Sequence, residues 1–161
     1  MDSGDDVGMG ARTSGWLLVG LQFTLLIALV LVPRRTTSIP WMALGAVLAI
    51  LGLAAAVAAM LRLGDALTPT PVPRDSAALR TDGVYSRVRH PIYSGLLLTA
   101  CGFTVAIGSW WTVAILVALA IFFGLKSRWE DSLLHAAHGA QWEDWAARTG
   151  RLLPRFHTPA S

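Results

Sequence analysis

Between Ile92 and Leu125 the chain runs for 34 residues without one Asp, Glu, Lys, Arg or His. A single helix of that length would reach about 51 Å at ~1.5 Å per residue, well beyond a hydrocarbon core roughly 30 Å thick. The run therefore predicts a hairpin of two membrane helices. Gly108-Ser109-Trp110-Trp111 offers the break, with Gly and Ser for the turn and paired indoles for the headgroup layer. Trp16 to Val32 and Trp41 to Leu63 add apolar stretches of 17 and 23 residues, making four expected spans. Composition agrees: 54% of the 161 residues are hydrophobic and 14% charged, and one soluble core of this size cannot hide that much apolar surface. The expected fold is all-α, an integral membrane bundle of about four transmembrane helices with a cytosolic C-terminal amphipathic helix.

Four spans put the N-terminal tail (1–15), the loop at 64–90 and the C-terminal segment on one face. That face carries 11 of the 13 basic residues, and only Arg34 and Arg35 fall on the other. The positive-inside rule makes the crowded face cytoplasmic, so both termini are expected there and the protein is expected to be multi-pass. The same tally accounts for the net charge of +3 without nucleic acid as a partner. Residues 1–15 are expected to be disordered. Asp2, Asp5 and Asp6 precede the first apolar run and no small-residue cleavage site follows it, so that run is expected to stay as a span rather than act as a signal peptide. Cys101 is the one cysteine and lies in an apolar run, which rules out an intramolecular disulfide.

The spans, 16–126 with the loop, hold no ionisable residue in their interiors, which argues against an ion-coupled transporter. Gln22 is the single amide there. Gly45/Ala49 and Gly52/Ala56 have the spacing of close helix packing. Polar chemistry is confined to the two cytosolic segments. In the loop, Thr68-Pro-Thr-Pro-Val-Pro73 should run extended as a polyproline strap, and Thr81-Asp82-Gly83-Val84-Tyr85 reads as a turn. Arg89-His90-Pro91 then opens the third span. Proline suits a first helical position, and the N–H groups of Ile92, Tyr93 and Ser94 would offer an anion site at the positive end of a helix. The plainer reading makes Arg89, His90 and Tyr93 interfacial anchors.

Ser127 to Arg148 has helical spacing of Trp129, Leu133, Ala136 and Ala140, with an adjacent stripe containing Trp142 and Trp145. A helix lying at the interface explains the stripe by itself. Glu130-Asp131 sits one turn beyond the fourth span. Its plain role is pairing with Arg128, Arg87 or Arg89; beside His90 and Tyr93 it would instead hold hydroxyls or an amino group. His135, His138 and His157 lack any ligand spacing, so no metal site is expected.

Gly83-Val-Tyr85-Ser-Arg-Val-Arg89-His-Pro-Ile-Tyr93-Ser-Gly95, followed by Glu130-Asp131, Leu134, Gly139, Trp142, Trp145 and Pro154, resembles the isoprenylcysteine carboxyl methyltransferase family, related to phospholipid N-methyltransferases. The resemblance covers about half the chain. It implies an integral membrane enzyme that binds S-adenosylmethionine at its cytosolic face beneath a C-terminal helix and tail (127–155), releasing S-adenosylhomocysteine. It also implies that the methyl acceptor is a lipophilic substrate entering from the bilayer, among membrane lipids. Cofactor-binding positions carry over to Tyr85, His90, Pro91, Ile92, Tyr93 and Glu130, with Arg89 beside them, and a substrate-associated basic residue carries over to Lys126.

The sequence departs from that pattern at several places. Asp131 stands for a second Glu, His138 for a Phe, Trp142 and Trp145 for two Tyr, and Lys126 for an Arg. A guanidinium clamps a carboxylate with two hydrogen bonds whereas an ammonium acts as a point charge, so the change at Lys126 bears on the substrate. A sulfonium is already activated, and transfer needs mainly placement and exclusion of water. A carboxylate acceptor needs only a cation, Lys126 or Arg128; an amine or thiol must first lose a proton, to His90 or Glu130. The residues leave open an isoprenylcysteine-type carboxylate, a phospholipid amine or a small thiol as acceptor. A non-catalytic membrane scaffold is the alternative of another class.

Overall fold

The computed structural model describes residues 4–33, 35, 37–64 and 79–155. Five α-helices follow one another: α1 (Gly4–Leu31), α2 (Ile39–Leu63), α3 (Pro91–Ile107), α4 (Trp110–His138) and α5 (Ala140–Arg148), with a 3-10 turn at Gly83–Ser86 before α3. The described residues contain no strand, only a lone parallel bridge between Val88 and Gly150. α2 and α4 are long and apolar enough to cross a membrane; α3 and the apolar part of α1, Gly15–Leu31, are shorter. Outward positions such as Leu17, Ile27, Leu31, Ile50, Leu53 and Leu61 are exposed large apolar side chains, a surface that suits lipid rather than water.

α2 and α3 pack antiparallel with their backbones almost in touch. A Cβ on Gly52 would lie 2.5 Å from the Thr99 nitrogen and 2.6 Å from the Gly95 oxygen, and one on Gly45 would lie 2.5 Å from the Gly102 oxygen. The spacing seen at Gly45/Ala49 and Gly52/Ala56 therefore has its counterpart in Gly95 and Gly102, seven residues apart on the facing helix. The second packing unit joins α1, α3 and α4 through Leu29, Ala100, Leu119, Phe122 and Phe123.

The apolar run from Ile92 does break where expected. Gly108 takes φ 64°, its N–H bonds to the Thr104 carbonyl at 3.0 Å, and Trp110 and Trp111 stand exposed at that end. Two other expectations need correction. A separate helix over Ser127–Arg148 is not formed, because nothing between Leu125 and His138 interrupts helical hydrogen bonding; α4 runs straight on from its apolar half, and the bend comes at Gly139 with φ 51°. Residues 4–14 continue α1 where an unstructured tail was expected, since extending a nucleated helix gains one hydrogen bond per residue ordered. The proline strap Thr68–Pro73 lies outside the described residues.

Candidate cofactor and acceptor site

The C-terminal end of α2, the start of α3, the polar half of α4 and all of α5 meet at one end of the bundle. His90 is the residue before α3 and is buried; Pro91 supplies the first helical position with no N–H to satisfy. Across from it, α4 presents Lys126, Glu130 and Asp131, residues one turn apart or adjacent on the inward side. His90 Nε2 lies 2.9 Å from Asp131 Oδ1 and Nδ1 lies 3.2 Å from Glu130 Oε2. Both ring nitrogens thus face carboxylate oxygens, a setting that favours the protonated ring. Burial works against that charge, but the hydrogen bonds and charges of Asp131 and Glu130 outweigh it and raise the His90 pKa.

Tyr93 donates to Glu130 Oε1 at 2.5 Å, and its ring stacks between His90 and Phe123. Lys126, 5% exposed, places Nζ 5.0 Å from the centre of the Tyr93 ring and donates to Gln22 Oε1 of α1 at 3.0 Å. His90, Tyr93, Glu130 and Lys126 are thereby brought together as one polar chain running from the bundle end toward α1.

Arg89 does different work. It meets both oxygens of Asp131 at 3.3 Å and donates to the carbonyls of Ala146 and Thr149, closing the C-terminal end of α5. Arg151 also donates to Asp131, at 2.9 Å. Asp131 is therefore the hub of the cluster rather than a solvated surface acid. The segment after α5 lies along the start of α3: Arg89 N–H reaches the Gly150 carbonyl at 2.8 Å, His90 N–H the Arg151 carbonyl at 3.0 Å, and Ser94 Oγ the Leu152 carbonyl. The Ser94 N–H is not free for an anion, because it bonds to the His90 carbonyl.

Tyr85 stands apart from the cluster. Its hydroxyl donates to the Ala59 carbonyl of α2 at 3.2 Å, its own carbonyl accepts from Trp145 Nε1 at 2.8 Å, and burial pushes its phenol up to about 12. Ile92 packs beside it with Ala59 and Trp145. Arg128 is exposed and takes no part in these contacts. His135 is exposed and pairs with Glu143, and no group of residues suited to a metal occurs among the described residues. Sequence reasoning missed Arg151, Gln22 and the central position of Asp131. Gln22 carried a signal, as the one amide in the first apolar run. Arg151 carried none, since only the folded tail brings it to α4.

The donor and acceptor set fits a ligand rich in hydroxyl and amino groups. Glu130, at 15% side-chain exposure against 6% for Asp131, is the more open carboxylate, and each of its oxygens has a lone pair left. Trp142 Nε1 is buried without a partner beside Arg89, leaving a donor for an incoming acceptor.

Fold and site define an all-helical membrane protein with a charged, largely buried site at one end of its bundle. The chain belongs to the phospholipid methyltransferase family, whose model matches residues 40–141. Two curated rice proteins, from Oryza sativa subsp. indica and subsp. japonica, both named "Probable protein-S-isoprenylcysteine O-methyltransferase", are 36% identical over 81 residues, half of this chain. The chain matches 42% of their length. The fold is similar to that of the solved eukaryotic intramembrane Ras methyltransferase, isoprenylcysteine carboxyl methyltransferase, with a TM-score of 0.67 and 23% identity. That match covers 96% of this chain and 54% of the solved one.

Proposed function

We propose that the protein is a multi-pass membrane methyltransferase that uses S-adenosylmethionine to methylate a carboxylate on a lipophilic, isoprenylcysteine-like acceptor drawn from the bilayer. Four spans are the topology that suits it, formed by the apolar part of α1, α2, α3 and the apolar half of α4. The site shares its end of the bundle with Arg62, Arg87, Arg89, Arg148 and Arg151, which by the positive-inside rule makes it the cytosolic end and puts both termini there. Residues 127–155 would cover the cofactor.

S-adenosylmethionine, when bound, would supply a methyl group already activated by its sulfonium. Glu130 would accept from the cofactor's hydroxyl or amino groups, with Tyr93 and His90 fixing the carboxylate and Trp142 offering its free N–H. Lys126 would hold the acceptor. The observation that carries the reading is the buried Lys126 ammonium, held by Gln22 beside the His90, Tyr93 and Glu130 group: a cation at that place favours an acceptor already ionised. The family's name keeps a phospholipid amine as a second reading, and that amine would first have to lose a proton, for which Glu130 is the open carboxylate.

Calorimetric titration of S-adenosylhomocysteine into the purified protein tests the cofactor half of the reading. Saturable binding is expected, weakened at least about tenfold by Glu130→Gln, which keeps the shape and removes a charge-assisted acceptor. No binding to folded wild type at millimolar ligand would overturn the proposal in favour of a non-catalytic scaffold.

A further inference from the structure

Gln22 sits in the apolar part of α1, far from the other polar residues in sequence, yet its amide oxygen receives the Lys126 ammonium at 3.0 Å. Lys126 is almost fully buried, and its other close neighbours are the faces of Tyr93 and Phe122. Glu130, one turn along α4, has its oxygens turned to Tyr93 and His90. The ammonium has three donors, and among the described residues its one hydrogen-bonding partner is a neutral amide. A buried cation is stable when paired; Glu130 acts on this one through its charge, but among the described residues no carboxylate bonds it directly.

We propose that Gln22 sets the charge selectivity of the acceptor site: by holding Lys126 with a neutral oxygen, α1 positions the ammonium and leaves its charge open for an oxyanion on a lipophilic chain. A Glu at this position would fill the same space and neutralise the cation. The inference rests on the methyl-transfer reading for the role of the bound acceptor, but the preference itself is a property of binding. Gln22 is a positioning residue, acting through Lys126.

The test is equilibrium binding, without methyl donor, of N-acetyl-S-farnesylcysteine and its carboxamide to protein in phosphatidylcholine nanodiscs. Wild type should prefer the carboxylate by about tenfold or more, the scale of a charge-assisted contact. Gln22→Glu should bring the two probes within about twofold by cancelling the open charge. Gln22→Met, which adds no charge, should weaken carboxylate binding about threefold to tenfold and keep the preference. Competition by phosphatidic acid would name a lipid phosphate as an oxyanion source, and lack of it would leave the prenylcysteine carboxylate; both support the site. Equal binding of the two probes by wild type, or full carboxylate affinity in both variants, would overturn it. Failure of the methyltransferase reading looks different: the preference holds and S-adenosylhomocysteine does not bind.

Discussion

The imidazole of His90 and the carboxylate of Asp131, forty-one positions apart in the chain, meet at 2.9 Å with both side chains buried. This pair ties the start of α3 to the polar half of α4. Because Arg89 and Arg151 bind the same carboxylate, it also ties down α5 and the chain beyond it.

The pair makes stability depend on pH. His90 has its folded-state pKa raised above the ordinary value of 6.5, so its contribution is complete below that value and is lost as pH rises through the raised one. Thermal unfolding followed from about pH 5 to about pH 9 should show a falling midpoint on the alkaline side, and His90→Gln should flatten that fall. A wild-type midpoint that rises with pH would contradict a charged His90.

Arg89 should resist replacement by lysine. The guanidinium spans both oxygens of Asp131 and two carbonyls at the end of α5, which a single ammonium cannot do at once. Arg89→Lys is expected to cost about 2–3 kcal/mol and to open α5 to limited proteolysis after Gly139. An unchanged cleavage pattern would show that α5 is held by its other contacts, the Trp145 bond to the Tyr85 carbonyl among them.

Tyr85 separates architecture from ligand contact. Tyr85→Phe removes the bond to the Ala59 carbonyl and should lower stability by about 1 kcal/mol, while S-adenosylhomocysteine affinity stays within about twofold. A tenfold loss of affinity at unchanged melting temperature would return Tyr85 to the cofactor contacts that the family resemblance implied.

Glycines on two helices should behave in opposite ways. Gly52→Ala drives a methyl into the backbone of α3 and is expected to cost about 1–3 kcal/mol, seen as lost monodisperse protein in detergent. At Gly124, where nothing lies within 4 Å of an added Cβ, Ala should gain up to about 1 kcal/mol from helix propensity. Equal effects at the two sites would argue against the close α2–α3 packing.

Much of the architecture was legible because a bilayer imposes simple rules. The length of the charge-free run from Ile92 to Leu125 forced a hairpin, Gly108 offered its turn, and the spacing of Gly45 and Gly52 marked a close-packed face. His90, Tyr93 and Glu130 were legible as a group through a motif, and the structure brings them together. What local pattern could not supply was partner choice between distant segments. Asp131 reads like any interfacial acid until Arg89, His90 and Arg151 arrive from two other segments. Nothing local to Tyr85 shows that its hydroxyl will meet the backbone of α2.

The sequence by itself determined that this chain forms apolar helices with its chemistry gathered at one end, because hydrophobic length and the placement of charge are properties of single segments. Only the tertiary structure decided that His90 lies between two carboxylates, that α4 runs unbroken past the apolar layer to Gly139, and that Gln22 of α1 faces Lys126. Each of those depends on which groups share a buried, weakly screened volume, and that is set by how helices pack rather than by any one of them.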